Sequence, residues 1–193
     1  MPGRRAMTAD ARRVAVLVSG RGSNLKALID HSSGYEIVLV ASDRPLAQAL
    51  EVARTAGIPT WSSDNRGVPR EEFDAMMTRS LEHHSVGTIA LAGYMRLLSP
   101  AFVQRWRGRI INIHPSLLPK YRGLDPHQRA LAAGEKLTGC TVHVVTEEVD
   151  SGEIIAQSEV AIAAGDDVRT LSERVLMAEH SLYPTALAEF VKR

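Results

Sequence analysis

The sequence holds a single cysteine, Cys140, among 193 residues, so no intrachain disulfide can close. That fits a reducing compartment and leaves the fold to its packed core. Cys140 sits in CTVHVV with no motif around it and reads as a small buried core residue. Metal-ligand patterns are lacking too. Neither HExxH nor paired CxxC occurs, and no metal is expected. Long apolar runs are missing: no stretch approaches the roughly 18 residues of a membrane helix. The opening MPGRRAMTADARR is basic, but the apolar run behind it, VAVLV, is too short for a signal-peptide core. The cytoplasm is the expected compartment. An excess of either charge is also absent, with 23 Lys and Arg against 22 Asp and Glu, a net charge of +1. That excludes a broad footprint for nucleic acid or an anionic membrane. The local runs Arg4, Arg5, Arg12, Arg13 and Arg105, Arg107, Arg109 read as solvated surface.

What is present is an ordinary globular composition, 45% apolar and 23% charged, at a length that suits one domain. Residues 1–11 read as a loose N-terminal extension and 12–193 as the domain. Short continuous apolar runs predict buried strands at Val14–Val18, Ile37–Val40, Ile58–Trp61, Val86–Leu91 and Arg109–Ile113. Thr141–Val145 and Ile154–Val160 alternate like strands with one more exposed face. Helices are expected at Ser23–Ile29, from Pro45 to Gly57 with Leu46 in its apolar stripe, from Pro69 through Leu81, from Ser99 to about Trp106, and from Asp125 to Gly134. A long final helix starts between Asp167 and Thr170. Thr170 and Glu173 have capping-box spacing, and Pro184 should kink this helix. Strand–helix alternation predicts an α/β fold with three layers, its sheet mostly parallel and twisted. In such sheets the site lies beyond the carboxyl ends of the strands.

Four segments carry chemistry. Ser19-Gly20-Arg21-Gly22-Ser23-Asn24 is a glycine turn between a strand and a helix N-terminus, where free N–H groups and the helix dipole favour a phosphate. Gly20 and Gly22, with Asp43 at the end of the second strand, also sketch a dinucleotide site, but its third glycine position holds Leu25. Asn112 and His114 lie two apart at a strand end and so share a face. An amide beside an imidazole can hold a developing oxyanion and manage a proton. Pro115 and Pro119 stiffen the loop that follows. Asp150, in EEVDSG, would orient and charge-stabilise His114 if the strand ends adjoin. Glu179 lies near the buried stripe of the last helix, where a carboxylate needs a partner.

SGRGSN, LAGYMRLLSP, INIHPSLLPKYRG and AEHSLYP, in this order, resemble the folate-dependent formyltransferases over nearly the whole chain from Arg13. The early loop and AEHxxYP are similar to the glycinamide ribonucleotide formyltransferases within that superfamily. The resemblance implies a Rossmann-like formyltransferase fold, with 10-formyltetrahydrofolate as donor and glycinamide ribonucleotide as acceptor. It implies Asn112, His114 and Asp150 as the catalytic trio. It also implies Gly22, Ser23 and Asn24 on the phosphate and Glu179 on the ribose. Arg70, Met95, Arg96, Leu97, Leu98 and Asn112 would line the folate site. A monomer or homodimer without nucleic-acid or membrane partners is expected. Two departures stand out. Arg21 replaces a common Asn, and Asp125-Pro126 replaces a His-Thr pair before His127. Methionyl-tRNA formyltransferases and formyltetrahydrofolate deformylases share the core motif, but they normally carry an additional domain.

Overall fold

A computed structural model describes residues 9–193. The strands are β1 (Arg13–Val18), β2 (Glu36–Ser42), β3 (Thr60–Ser62), β4 (Thr88–Leu91), β5 (Ile110–His114), β6 (Leu137–Val144) and β7 (Ile154–Ala161). The helices are α1 (Ser23–Asp30), α2 (Gln48–Thr55), α3 (Arg70–His83), α4 (Pro100–Arg105), α5 (Pro126–Ala132) and α6 (Val168–Phe190). One seven-stranded sheet runs in the order β3-β2-β1-β4-β5-β6-β7. Its first five strands pair in parallel, and β6 and β7 join antiparallel. Among the described residues no helix is long and apolar enough to cross a membrane.

Alternation along each strand divides the core into two. Val14, Val16 and Val18 of β1, with Ile111 and Ile113 of β5, face a core shared with α1, α2 and α6. Ala15 and Leu17 of β1, with Ile110 of β5, face the other core, built on Phe73, Met77 and Leu81 of α3 and Phe102 of α4. Both faces of the central strands are covered, which is why they read as unbroken apolar runs. Strand order reverses between β1 and β4, opening a crevice at their carboxyl ends.

The element boundaries depart from the sequence expectation where tertiary contacts decide. α2 begins at Gln48, not Pro45, and Leu46 is 97% exposed rather than in a stripe. Ala49 is held by the glycine turn, its N–H donating to Gly20 O at 3.1 Å. The chain reaches that anchor by a turn in which Ala47 N donates to Arg44 O at 3.0 Å. The capping box of α6 is Asp167 with Thr170, one turn before the expected pair. Asp167 Oδ1 accepts from Thr170 N at 2.7 Å, and Glu173 instead pairs with Arg169 at 3.0 Å. The helix continues through Pro184 to Phe190. Of the extension expected at 1–11, residues 1–8 lie outside the described residues, while Ala11 O accepts from Thr88 Oγ1 at 2.7 Å.

Tyr183 joins α6 to the sheet. Its ring is fully buried, and its hydroxyl donates to Leu91 O at 2.8 Å, at the end of β4. Tyr183→Phe keeps the shape but strips that donor, and is expected to cost about 1 kcal/mol. Urea unfolding should show a lower midpoint at unchanged slope. An unchanged midpoint would mean that water serves the carbonyl equally well.

Candidate active site

The glycine turn is built by close packing. Gly22 is the N-cap of α1 at φ +85°, and a Cβ there would lie 2.7 Å from Ala49 Cβ. Both facts demand glycine. Lys26 N is the first to close an α1 turn, onto Gly22 O at 2.9 Å, so the N–H groups of Ser23, Asn24 and Leu25 have no intrahelical acceptor. Asn24 Nδ2 donates to Glu179 Oε2 at 2.7 Å, while Asn24 Oδ1 is buried without a partner among the described residues. Glu179 is buried, and burial raises its carboxyl to about 7, with the Asn24 bond opposing. Arg21, Arg169, His127, Pro115 and Glu179 line a cavity of about 520 Å³ beside this turn.

A second cavity, of about 260 Å³, lies on the other side of the end of β5. Arg70, Met95, Arg96, Leu97, Leu98 and Asn112 all line it, together with His143 and Asp150. Met95 and Leu97 are exposed at its rim. The Arg96 side chain turns into the protein. It lies over the Phe73 ring at 4.8 Å, and its Nη2 donates to Val68 O at 3.0 Å.

The expected trio meets between the two cavities. Asn112 lines one, and Pro115, next after His114, lines the other. Asp150 Oδ2 lies 3.2 Å from His114 Nδ1 and accepts from Gly123 N at 2.9 Å. Its other oxygen lies 3.4 Å from His143 Nε2. Asp150 does not reach His114 from an adjacent strand end. Because β6 is antiparallel, its far end lies beside the start of β5, and the β6–β7 connection folds back over the sheet face that carries Asn112 and His114. Asp150 closes that path at φ +49°, and Tyr121 and Asp125 nearby also have positive φ. Non-glycine residues held in this region concentrate at functional sites.

His143 is the site residue that sequence reasoning missed. It pairs in register with Asn112 and lies 3.2 Å from the Asn112 amide. Its place in CTVHVV was the available signal, since Thr141 and His143 alternate away from Cys140 and Val142, which face the α6 core.

Burial opposes the charge expected on His114, although both of its ring nitrogens face acceptors. Burial lowers its pKa and outweighs the Tyr121 carbonyl, 3.0 Å from Nε2, and the Asp150 carboxylate, both of which favour the imidazolium. The nearby His143 and Arg129 add to the lowering. Asp150 is held below the usual carboxylate range. Burial pushes it up, but the hydrogen bonds from His143 and Gly123 and the nearby imidazoles win. Asp43 presents nothing to a ribose. It is buried, and its two oxygens accept from Ser19 Oγ at 2.6 Å and Asn65 Nδ2 at 2.8 Å.

The family model described as formyl transferase matches residues 12–187. A phosphoribosylglycinamide formyltransferase of Escherichia coli is 42% identical over 92% of this chain and 86% of its own. A trifunctional purine biosynthetic protein adenosine-3 of Gallus gallus is 52% identical over 91% of this chain, which spans only 18% of that protein. Among solved structures, glycinamide ribonucleotide transformylase 1 from Symbiobacterium toebii superposes with a TM-score of 0.90 at 42% identity, covering 93% of this chain and 87% of that one. The phosphoribosylglycinamide formyltransferase from Brucella melitensis gives 0.88 at 47%, covering 94% and 96%.

The raised carboxyl of Glu179 makes stability depend on pH. An unfolded glutamate ionises near 4.5, whereas Glu179 holds its proton to about 7. Between these values the native state binds the proton that the unfolded chain has released, so stability falls as pH rises. Glu179→Gln removes this dependence. Relative to the original chain it should gain about 3 kcal/mol across that window and level off above it. Urea unfolding of both chains at several pH values reads the difference. A gap that does not change with pH would show that the carboxyl is not held neutral.

Proposed function

The chain belongs to the formyl transferase family, and from that premise we propose that it moves a formyl group from 10-formyltetrahydrofolate to the amine of glycinamide ribonucleotide in purine biosynthesis. The observation that carries the reading is that Asn112 and Asp150 line one cavity while Pro115, next after His114, lines a second of different character. The Met95–Leu98 cavity suits a flat heterocycle with an apolar flank, and Arg70 stands in its wall for an anionic tail. The cavity beside the glycine turn suits a phosphorylated sugar. The free N–H groups of α1 and Arg21 take the phosphate, and Glu179 takes hydroxyls. The same relatives favour this substrate pair over tRNA or water as acceptor.

In this reading the amine of the ribonucleotide attacks the formyl carbon directly. A bond forms between that nitrogen and the carbon, the carbon–N10 bond breaks, and one amine proton passes to the departing folate. Asn112 Nδ2 and His114 Nε2 donate to the oxygen as it becomes anionic, with Nε2 exchanging the Tyr121 carbonyl for it. Negative charge developing there offsets the burial that depresses the imidazolium in the free protein. Asp150 faces the opposite ring nitrogen and stabilises the charged ring. Asp150 and His143 hold the two donors close to this arrangement beforehand, so the exchange at Nε2 is the main rearrangement when the charge appears.

Ribonucleotide-dependent deformylation of 10-formyl-5,8-dideazafolate, followed spectrophotometrically, tests the assignment. Asn112→Ala should lower kcat by about 10²–10³-fold, a loss of roughly 2.7–4 kcal/mol of transition-state stabilisation. Near-full turnover by this variant would sink the mechanism. Folate consumed at the same rate without the ribonucleotide would instead make the chain a hydrolase.

A further inference from the structure

The segment Met95–Leu98 forms a wall of the first cavity, yet the groups that fix it lie outside that cavity. At one end Met95 N donates to Ser19 Oγ at 2.8 Å, and the same hydroxyl donates to Asp43 Oδ1 at 2.6 Å. At the other end Ser99 N donates to Asp74 Oδ2 at 2.6 Å. Ser19, Asp43 and Asp74 are 2%, 3% and 2% exposed. A buried carboxylate is a costly way to hold a loop, because its desolvation must be met by well-placed donors. Here two buried acids serve one short segment, Asp43 just beyond β2 through Ser19 and Asp74 of α3 through Ser99 N.

Ser19 also borders the glycine turn of the other subsite. It ends β1 and opens the glycine turn, and its N–H donates to Gly93 O at 3.2 Å. The next residue, Gly20, anchors α2 through Ala49 N. One hydroxyl therefore stands where the turn for the phosphate and the wall for the heterocycle meet, across the β1–β4 crevice.

We infer that Ser19, Asp43 and Asp74 are positioning residues that hold Met95–Leu98 in register with the glycine turn, and so set where the folate lies relative to the ribonucleotide. The identity of the occupant rests on the proposed function. The three residues touch neither substrate, and they act through the main chain of the wall. An asparagine at 43 keeps an acceptor facing Ser19 but turns its own amide donor toward Asn65 Nδ2.

The test combines kinetics with direct binding on the full chain. Ser19→Ala should raise KM for 10-formyl-5,8-dideazafolate, and its Kd by fluorescence titration, about tenfold, as expected for one lost hydrogen bond of about 1.4 kcal/mol. The ribonucleotide KM should rise less, and kcat should stay within about threefold, because Asn112, His114 and Asp150 are untouched. Asp43→Asn, which keeps the acceptor for Ser19 Oγ, should raise the folate Kd less than Ser19→Ala does. Should Ser19→Ala fail to fold, Asn65→Ala, which strips a donor from Asp43 at a half-buried position, is read in the same way. A lower melting temperature with both KM values unchanged would overturn the inference, since the network would then serve stability alone. Original chain that binds the folate analogue beside a Ser19→Ala chain that binds it equally tightly would also overturn it, and would leave the proposed function standing. Folded original chain that binds no folate analogue would overturn both.

Discussion

The carboxylate of Asp150 is the point on which the site closes. It is tied to three segments at once: the main chain at Gly123, the ring of His114 at the end of β5, and the ring of His143 on β6. A half-buried carboxylate without such partners would take up a proton and lose its hold. With them it stays ionised and pins the loop after β5 against the β6–β7 connection. Residue 150 accepts a left-handed backbone to do this, which an aspartate tolerates better than most side chains. Remove that carboxylate, and His114 and His143 face each other as two buried imidazoles with nothing anionic between them.

The same economy governs the loop between β5 and α5. Thr141 Oγ1 donates to Ser116 O at 2.7 Å and accepts from Leu118 N at 3.0 Å. Gln157 Nε2 donates to Leu118 O at 2.9 Å. The antiparallel pair β6–β7 thus supplies side chains that satisfy a loop with no ladder of its own. Pro115 and Pro119 narrow the backbone freedom of that loop, and the side-chain bonds fix what remains. The antiparallel edge is what lets the chain bring a carboxylate and a second imidazole back over a sheet face that a parallel crossover would have covered with a helix.

How much of this was legible in the sequence follows from the range of the forces involved. The buried parallel strands, the glycine turn and the shared face of Asn112 and His114 are set by local alternation and by residues whose chemistry is local. The start of α2 was not legible, because Ala49 is captured by Gly20 from a turn some thirty residues earlier, and Pro45 in a turn looks the same as Pro45 at a helix start. The cap of α6 was displaced by one turn because Asp167 and Thr170 satisfy the box as well as Thr170 and Glu173 would. His143 hid in a strand pattern, for nothing local distinguishes a histidine facing helix α3 from one facing an anion. The opposing pull of burial on His114 was not foreseen, because a partner can be guessed from spacing, whereas burial belongs to the whole fold.

Unmet hydrogen-bonding capacity lies partly at the site and partly away from it, at Arg13 Nε, Asp74 Oδ1, Trp106 Nε1 and His180 Nε2. Among the described residues, Asn24 Oδ1 and His127 Nδ1 are buried without partners near the cavity of the glycine turn, and Tyr94 Oη and Arg96 Nε are so beside the other cavity. Each such group carries a desolvation cost that a ligand or water can relieve. Glu179 adds a carboxyl that burial holds neutral until about pH 7. A chain selected for stability alone would replace these groups with apolar ones of similar shape. Four of the eight such atoms among the described residues flank Asn112 and His114, with the left-handed backbone of Asp150 between them, so half of the unmet capacity faces the two cavities.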